Sequence, residues 1–452
     1  MNRAVRCLFG TDGVRDVANK GTMTPEMALR LARAFVLFLT EGGAPRPSVV
    51  VARDTRHSGP MLEAALVAGL ASAGAEITLL GVAPTPAVSF AIRKSGAAGG
   101  AVISASHNPA EYNGIKFLDA KGSKLDDGEE SAIEETLADS LLDDWRPTGA
   151  SIGSIGSDES LLDAYVDWLS SFAGPFGGPV VVDGAHGAAS AVLPRLATRL
   201  GVKPHLIGLA PDGLNINEDV GVMHMAHLAQ AVRQTEAVCG VAFDGDADRV
   251  LLCDRRGRTL DGDILLWVLA RWLKERGELG QGVVATVMSN LALEERLGES
   301  AIAVSRCPVG DRYVLEAMRE KGMGLGGEQS GHVILGPWVC TGDGLLTGLA
   351  FLRACHELGE DLDSLYDRFG RYPQLLRNVT VSDKKKVLQS KLLQEAIAEA
   401  EGRLGEWGRV FVRASGTEPL VRILVEAKDC QLMEELAQNV ASLITQLSPY
   451  KE

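Results

Sequence analysis

The sequence predicts an α/β protein of repeated mixed sheets sandwiched by helices, with a smaller α+β unit at its C-terminal end. Three observations carry this. Short β-branched runs recur, each ending in a polar cluster and giving way to a helical pattern. The runs are apolar throughout, with no polar alternation, so both faces of each strand are buried, which calls for parallel or mixed sheets covered by helices. Beyond Lys386 the order changes to helix, strand, loop, strand, helix.

In chain order, "TPEMALRLARAFVLFL" reads as a helix with Thr24 as N-cap and Pro25 in its first turn. "SVVVARDTRHSG" from Ser48 is the first buried strand, and "GPMLEAALVAGLASAG" is the helix after it. "AVISASHNP" from Ala101 is the next strand. "RPTGASIGSIGSDES" (Arg146 to Ser160), rich in Gly and Ser, reads as a linker or loop. Further strands are "PVVVDGAHGAAS" from Pro179, "GVAFDGDADR" from Gly240 and "GVVATVMSN" from Gly282, with "DGDILLWVLARWLKERG" a helix between the last two. "RYPQLLRNVTVSDKKK" (Arg371 to Lys386) looks like a second boundary, followed by the strands "RVFVR" and "LVRILVEAK" around "ASGTEP". Ligands in such sheets sit beyond the carboxyl ends of strands, where these polar clusters lie.

The chain has 452 residues, which suggests roughly three domains. Its net charge of −14 argues against a nucleic acid or an acidic membrane as partner of the whole surface. The opening "MNRAVRCLFGTDG" lacks the apolar core of a signal peptide. The most apolar helix, "DILLWVLARWL", carries Arg271 and falls short of the roughly 20 apolar residues needed to span a bilayer. Seven scattered cysteines with no C-x-x-C suit reduced thiols in a cytoplasm, each read as a small buried hydrophobe.

In "FDGDADR", Asp244, Asp246 and Asp248 alternate with small residues after a strand. Three carboxylates on one side of an extended or tightly turned segment repel one another unless a cation sits among them. Hard oxygen donors with small spacers suit Mg²⁺, whereas the long loop and distal Glu of an EF-hand are missing. The bland reading is a solvated acidic turn. "SASHNP" places Ser106 beside His107. The nucleophile-elbow pattern is absent, and adjacent side chains on an extended segment point apart, so His107 is expected to be badly placed to deprotonate Ser106. A phosphoryl group on Ser106 would instead supply an anionic ligand to the metal. Taken alone, the stretch favours an ordinary Ser/Asn/Pro turn after a strand.

"VRASGTEPLVR" sets Arg413 and Arg422 around Ser415, Gly416 and Thr417, a combination of guanidinium, hydroxyl and backbone N–H donors that suits phosphate. A hairpin loop with exposed arginines fits the composition as well. "GEQSGH" offers Glu328, Ser330 and His332 for sugar hydroxyls, or is a plain turn. The formal G-x-G-x-x-G from Gly322 to Gly327 follows a helix and not a strand, which speaks against a dinucleotide site. His224 and His227 lack a third soft ligand nearby and are given no site.

The set "FGTDGVR" (9–15), "SASHNPAEYNGIK" (104–116), "DGDADR" (244–249), "GEQSGH" and "RASGTEP" resembles the α-D-phosphohexomutase superfamily, in family order and over nearly the whole chain. "SASHNP" and Gln329 make it most similar to the bacterial branch that works on amino sugar phosphates. The resemblance implies an isomerase, an intramolecular phosphotransferase that interconverts glucosamine 6-phosphate and 1-phosphate. An enzyme phosphoserine and a hexosamine 1,6-bisphosphate, intermediate and activator, would carry the reaction. Mannose or glucose phosphates are the sister reading; a non-catalytic sugar-phosphate binder and a Mg²⁺-dependent phosphatase are the others. It implies three related α/β domains (1–155, 156–257, 258–370) and a C-terminal α+β domain (371–452) around a central cleft. It further implies phosphorylated Ser106, Mg²⁺ held by Ser106, Asp244, Asp246 and Asp248, and Arg15, His107, Lys116 and Arg249 about the transfer. Glu328, Ser330 and His332 would grip the sugar, and Arg413, Ser415, Gly416, Thr417 and Arg422 the distal phosphate. Lys116, Arg15 or His332 would act as general base or acid, a lysine base requiring a strongly lowered pKa. Asp311 and Arg312 fall in another matched segment. A homodimer is implied as well. The sequence departs from the family pattern at "GVMHMAHL", and at Ala247, where Gly is frequent; the alanine is expected to be harmless if its φ is negative.

Overall fold

The computed structural model describes residues 8–10, 12–139, 141–175, 177–415 and 419–448. The chain forms two compact units: Met1–Met288 with Ser300–Tyr366, and Ser289–Glu299 with Asp367–Glu452.

The first unit holds three sheets built on one plan. The first sheet comprises β1 (Val14–Val17), β2 (Ser48–Arg53), β3 (Glu76–Val82), β4 (Gly99–Ile103), β5 (Tyr112–Leu118) and β6 (Ile155–Ser157), in the order β1-β5-β4-β2-β3-β6. The second comprises β7 (Val180–Asp183), β8 (His205–Ile207), β9 (Cys239–Phe243), β10 (Val250–Asp254) and β11 (Thr259–Leu260), in the order β11-β10-β9-β7-β8. The third comprises β12 (Val283–Thr286), β13 (Val304–Cys307), β14 (Leu325–Gly327) and β15 (Val333–Leu335), in the order β13-β12-β14-β15. Each has parallel strands at its centre and turns antiparallel through a hairpin, β4 with β5, β9 with β10 and β14 with β15, with β1 and β11 adding antiparallel edges to the first two. The loops of these three hairpins contain Ser106, the aspartate trio and the 328–332 turn. Antiparallel neighbours need only a short connection, so each loop is tied at both ends to its own sheet.

The five apolar runs read as buried strands are β2, β4, β7, β9 and β12. The N-terminal helix runs Pro25–Glu41, with the Thr24 hydroxyl accepting from Met27 N–H. It packs Phe35 on Phe117 of β5, ring centroids 4.3 Å apart. Burying one such ring completely contributes about 2–3 kcal/mol. Asp261 caps the helix Gly262–Glu275.

Two stretches and the cysteines differ from the sequence reading. The Gly/Ser-rich segment 146–160 adds β6 to the sheet edge, through pairing of Ile155 with Ile77. Its strand residues are all exposed, so no hydrophobic signal marks it. In the 371–386 boundary, β16 (Gln374–Thr380) alternates half-buried Leu375, Arg377 and Val379 with exposed Leu376, Asn378 and Thr380. That period of two is the mark of a strand with one covered face. The cysteines are not uniformly core: Cys239, Cys253, Cys307 and Cys355 are buried, Cys340 is half-buried and Cys430 is exposed, while Cys7 lies outside the described residues.

The second unit folds β16, β17 (Gly408–Ala414) and β18 (Leu420–Ala427) into an antiparallel sheet, order β16-β18-β17. The helix Cys430–Leu447 packs on it, burying Leu436, Val440 and Ile444. The helix Leu291–Glu299, inside segment 258–370 by sequence, also belongs here: Leu291 N–H donates to Glu426 (2.8 Å) and Asn290 to Tyr372 O (3.0 Å). Among the described residues no helix is long and apolar enough to cross a membrane.

One buried contact of the first unit titrates near neutrality. Asp343 caps the helix Gly344–Glu357 and accepts from Tyr165 OH at 2.8 Å. Burial pushes its carboxyl up to about 6, against an ordinary value of 3.8. The folded protein therefore holds this proton more tightly than the unfolded chain. The associated stabilisation is complete below pH 3.8 and is lost as pH rises through about 6. Asp343→Asn keeps a capping side chain without that titration. Its melting temperature relative to the parent protein is expected to rise between pH 4.5 and pH 7.5, as read by calorimetry.

Candidate active site

Ser106 follows β4 and is 1% exposed. Its φ is +51°, a left-handed conformation that non-glycine residues adopt at a cost and mostly at functional sites. The hydroxyl donates to Asp244 Oδ2 at 2.6 Å. The left-handed turn also corrects the expectation for His107. The chain is not extended here, and His107 Nδ1 lies 3.3 Å from Ser106 Oγ. The hydroxyl has one proton, directed to Asp244, so Nδ1 meets the oxygen as a donor. Burial, with Arg249 and Arg15 nearby, pushes His107 down to about 4 and keeps it neutral.

Asp244, Asp246 and Asp248 leave β9 in a tight turn and are all buried, with carboxylate oxygens within 4.8 Å of one another. Asp244 Oδ1 accepts from Arg249 N–H (3.2 Å). Asp246 Oδ2 accepts from Thr85 Oγ1 (2.6 Å) and Lys116 Nζ (2.7 Å). Asp246 Oδ1 and Asp248 Oδ1 are buried without a hydrogen-bond partner. Burying an acceptor unpaired costs about 1–3 kcal/mol, so two such oxygens in a carboxylate trio fit a cation. Burial and the neighbouring Asp248 and Asp246 push Asp244 well up, the response of like charges that no cation separates. Gly245 permits the close approach: a Cβ there would stand 2.5 Å from Ser106 O.

Ala247 does not meet the condition set for it, since its φ is +55°. A Cβ in this region costs roughly 1–2 kcal/mol, partly offset by the extra chain entropy a glycine loses. Ala247→Gly is expected to raise the melting temperature by about 1–2 °C.

Lys116 on β5 also reaches Asp12 at 2.9 Å. Burial favours the neutral amine, but Asp12 and Asp246 outweigh it and raise its pKa. The strongly lowered value a lysine base requires is therefore absent. Asp12 is held well down, burial being outweighed by Lys116, Lys124 and Arg15. Arg15 pairs with Asp12 and donates to Ala105 O (3.3 Å). Arg249 lies beside the trio, where Asp248 and Asp244 outweigh burial and raise it.

In the third hairpin, Glu328 accepts from Gly310 N–H (3.0 Å) and from Ser330 Oγ (3.3 Å). His332 is buried, with Nδ1 3.6 Å from Asp248 and Nε2 3.7 Å from Asp311. Gly342 N–H donates to Nε2 at 3.1 Å, so the ring carries its first proton on Nδ1, towards Asp248. Burial lowers its affinity for a second proton, but Asp248 and Asp311 more than compensate. Arg312 turns to Glu130 (2.9 Å) and Asp127 (2.7 Å). Gly322 caps a helix and Gly327 ends β14, so the G-x-G-x-x-G run opens no helix. His224 and His227 are both exposed.

Sequence reasoning missed Asp12, Thr85 and Lys124. Lys124 pairs with Asp12 (2.6 Å), Asp311 and Asp248 (3.6 Å). It stands in "DAKGSKLDD", which reads as an exposed polar turn.

In the second unit, Arg413 and Arg422 face one another across β17 and β18. Like charges directly opposite are unfavourable. Burial and Arg422 together lower the pKa of Arg413. Ser415 is buried, and its carbonyl accepts from Lys384 Nζ at 2.7 Å. Gly416 and Thr417 lie outside the described residues.

Four models described as phosphoglucomutase/phosphomannomutase match in order. They are alpha/beta/alpha domain I (6–142), domain II (163–257), domain III (261–372) and the C-terminal domain (376–443). A phosphoglucosamine mutase of Desulforamulus reducens is 46% identical over 440 residues, 97% of this chain and 99% of that protein. One of Frankia alni is 48% identical over 453 residues, covering 98% and 99%. Among solved structures, a phosphoglucomutase/phosphomannomutase family protein of Burkholderia thailandensis superposes with a TM-score of 0.82, at 25% identity and 98% coverage of both chains. Four domains in family order and relatives matched almost end to end leave one assignment: the chain belongs to the phosphohexomutase superfamily, among its phosphoglucosamine mutases.

Proposed function

We propose that the protein interconverts glucosamine 6-phosphate and glucosamine 1-phosphate through a phosphoryl group carried on Ser106, with the 1,6-bisphosphate as intermediate. The observation that carries this reading is the Ser106 hydroxyl at 2.6 Å from Asp244, inside a carboxylate trio with two unpartnered oxygens. Asp244, Asp246, Asp248 and Ser106 would hold Mg²⁺, the ion that all-oxygen donors around a phosphate favour. Once bound, it supplies positive charge to the transferring group.

The protein's own groups do the rest. The phosphoryl group passes from Ser106 Oγ to a sugar hydroxyl: the P–O bond to serine breaks, a P–O bond to the sugar forms, and the hydroxyl proton goes to a base. Lys116, Arg15 and Arg249 present fixed positive charge to the transferring oxygens. Lys116, held charged by Asp12 and Asp246, serves as an electrostatic group and not as the base. His332 is the better proton carrier: Asp248 and Asp311 raise its proton affinity, but from that of an imidazole, which lies well below that of an amine. Neutral His107 steadies the serine oxygen. Glu328 and Ser330 orient the sugar. Arg413, Ser415, Gly416, Thr417 and Arg422 hold the non-reacting phosphate. Arg422→Ala is expected to raise KM about tenfold or more while phospho-Ser106 still forms, as checked by intact mass and steady-state kinetics.

The charge of −14 supports a small-molecule substrate and no nucleic-acid partner, the cysteine pattern supports a cytoplasmic location, and the resemblance supports a homodimer. The test is incubation with Mg²⁺, a trace of hexose 1,6-bisphosphate and each hexose 6-phosphate in turn. Fastest isomerisation of the amino sugar is expected. Equal or faster turnover of glucose or mannose phosphate moves the protein to the sister activity, and no isomerisation of any sugar removes the mutase reading.

A further inference from the structure

Arg56 is fully buried at the carboxyl end of β2, and all five of its N–H donors are used. Nε donates to Asp54 Oδ2 at 2.9 Å. One terminal nitrogen donates to Pro109 O and to Tyr112 O (2.9 Å). The other donates to Ser106 O (2.9 Å) and Asn108 O (2.8 Å). One planar guanidinium thus gathers four backbone carbonyls from both arms of the β4–β5 loop.

Two further contacts complete the cage. Asp54 accepts from Ser104 Oγ (2.6 Å), and the same hydroxyl accepts from Ser106 N–H (3.0 Å). From the second sheet's side, Asn217 Nδ2 donates to Ser106 O (2.9 Å) and Asn108 O (3.1 Å). Ser106 is thereby held at N–H and carbonyl alike, in a left-handed conformation it would not keep unaided. Neither Arg56 nor Asn217 contacts Ser106 Oγ; both act through the backbone that aims it.

We propose that Arg56, with Asp54 and Asn217 in support, is the positioning residue that fixes the Ser106 hydroxyl in its line of transfer. The inference rests on the phosphoserine reading above. Lysine at 56 keeps a charge against Asp54 but lacks the fork that spans four carbonyls. A displacement near 1 Å at a reacting atom costs about 100-fold in rate.

The test measures uptake of the phosphoryl group by Ser106 from glucosamine 1,6-bisphosphate in a single turnover, by rapid quench and intact mass, together with kcat and KM. Wild-type uptake, absent in Ser106→Ala, establishes the parent reading separately; no uptake in wild type would remove that reading and this inference with it. With wild-type uptake present, Arg56→Lys is expected to slow loading by about 100-fold per folded molecule and to lower kcat in step, with KM within about threefold. Asn217→Ala, which removes no buried charge, is expected to show the same signature at about tenfold and decides the matter if Arg56→Lys does not fold. Loading within twofold of wild type in the folded variants, or a loss confined to KM, overturns the proposal.

Discussion

Ser106→Ala is expected to abolish isomerisation, by roughly 10⁴-fold or more, in a protein that melts within a few degrees of the parent. The size follows from the route: without the hydroxyl no phosphoryl group can be parked on the enzyme, and a covalent catalyst without its nucleophile retains only binding effects. The fold should survive, because the side chain contributes two hydrogen bonds, one to Asp244 and one from His107, while the cage around the loop acts on the backbone of residue 106. Coupled assay for the 1-phosphate, with circular dichroism on the same sample, checks both halves. Retention of the full rate would end the covalent scheme.

Chelation of divalent ions is expected to cost at least about 100-fold in kcat, reversed by added Mg²⁺. Asp246→Asn should reproduce the loss without reversal. The Oδ1 atoms of Asp246 and Asp248 argue for this, because among the described residues neither receives a hydrogen bond. Lys116, already 2.7 Å from Asp246 Oδ2, neutralises one edge of the trio and cannot stand in for an ion in its middle. A second readout is thermal: Mg²⁺ should raise the melting temperature of the parent protein and not that of Asp246→Asn. An ion-independent rate would remove the metal from the reaction.

Much of the first unit was legible because its central strands are apolar on both faces. β2, β4, β7, β9 and β12 announce themselves without reference to any partner. The exposed edge strand β6 and the half-covered β16 carry weaker patterns, which read as a linker or loop and as a boundary. At the site, the aspartate trio was legible because three carboxylates on so short a turn demand a reason. The conformations of Ser106 and Ala247 were not: a left-handed φ on a non-glycine residue is imposed by tertiary contacts and leaves no local mark. Lys124, Thr85 and Arg56 were likewise hidden, since each reaches its partner across a sequence distance that no spacing encodes.

The helix Leu291–Glu299 bears on any attempt to dissect the molecule. A fragment beginning at residue 371 would lack the Leu291 peptide, one of the donors to fully buried Glu426, as well as Ser289 O, which accepts from Arg409 (2.6 Å), and Glu295, which accepts from Tyr372 OH (2.9 Å). Cut along the sequence, the C-terminal piece would emerge with a stripped flank, its Glu426 carboxylate left with Arg409 and Gln374 alone among the described residues. A soluble excised module would have to be a chimera, with residues 289–299 grafted back by a designed loop.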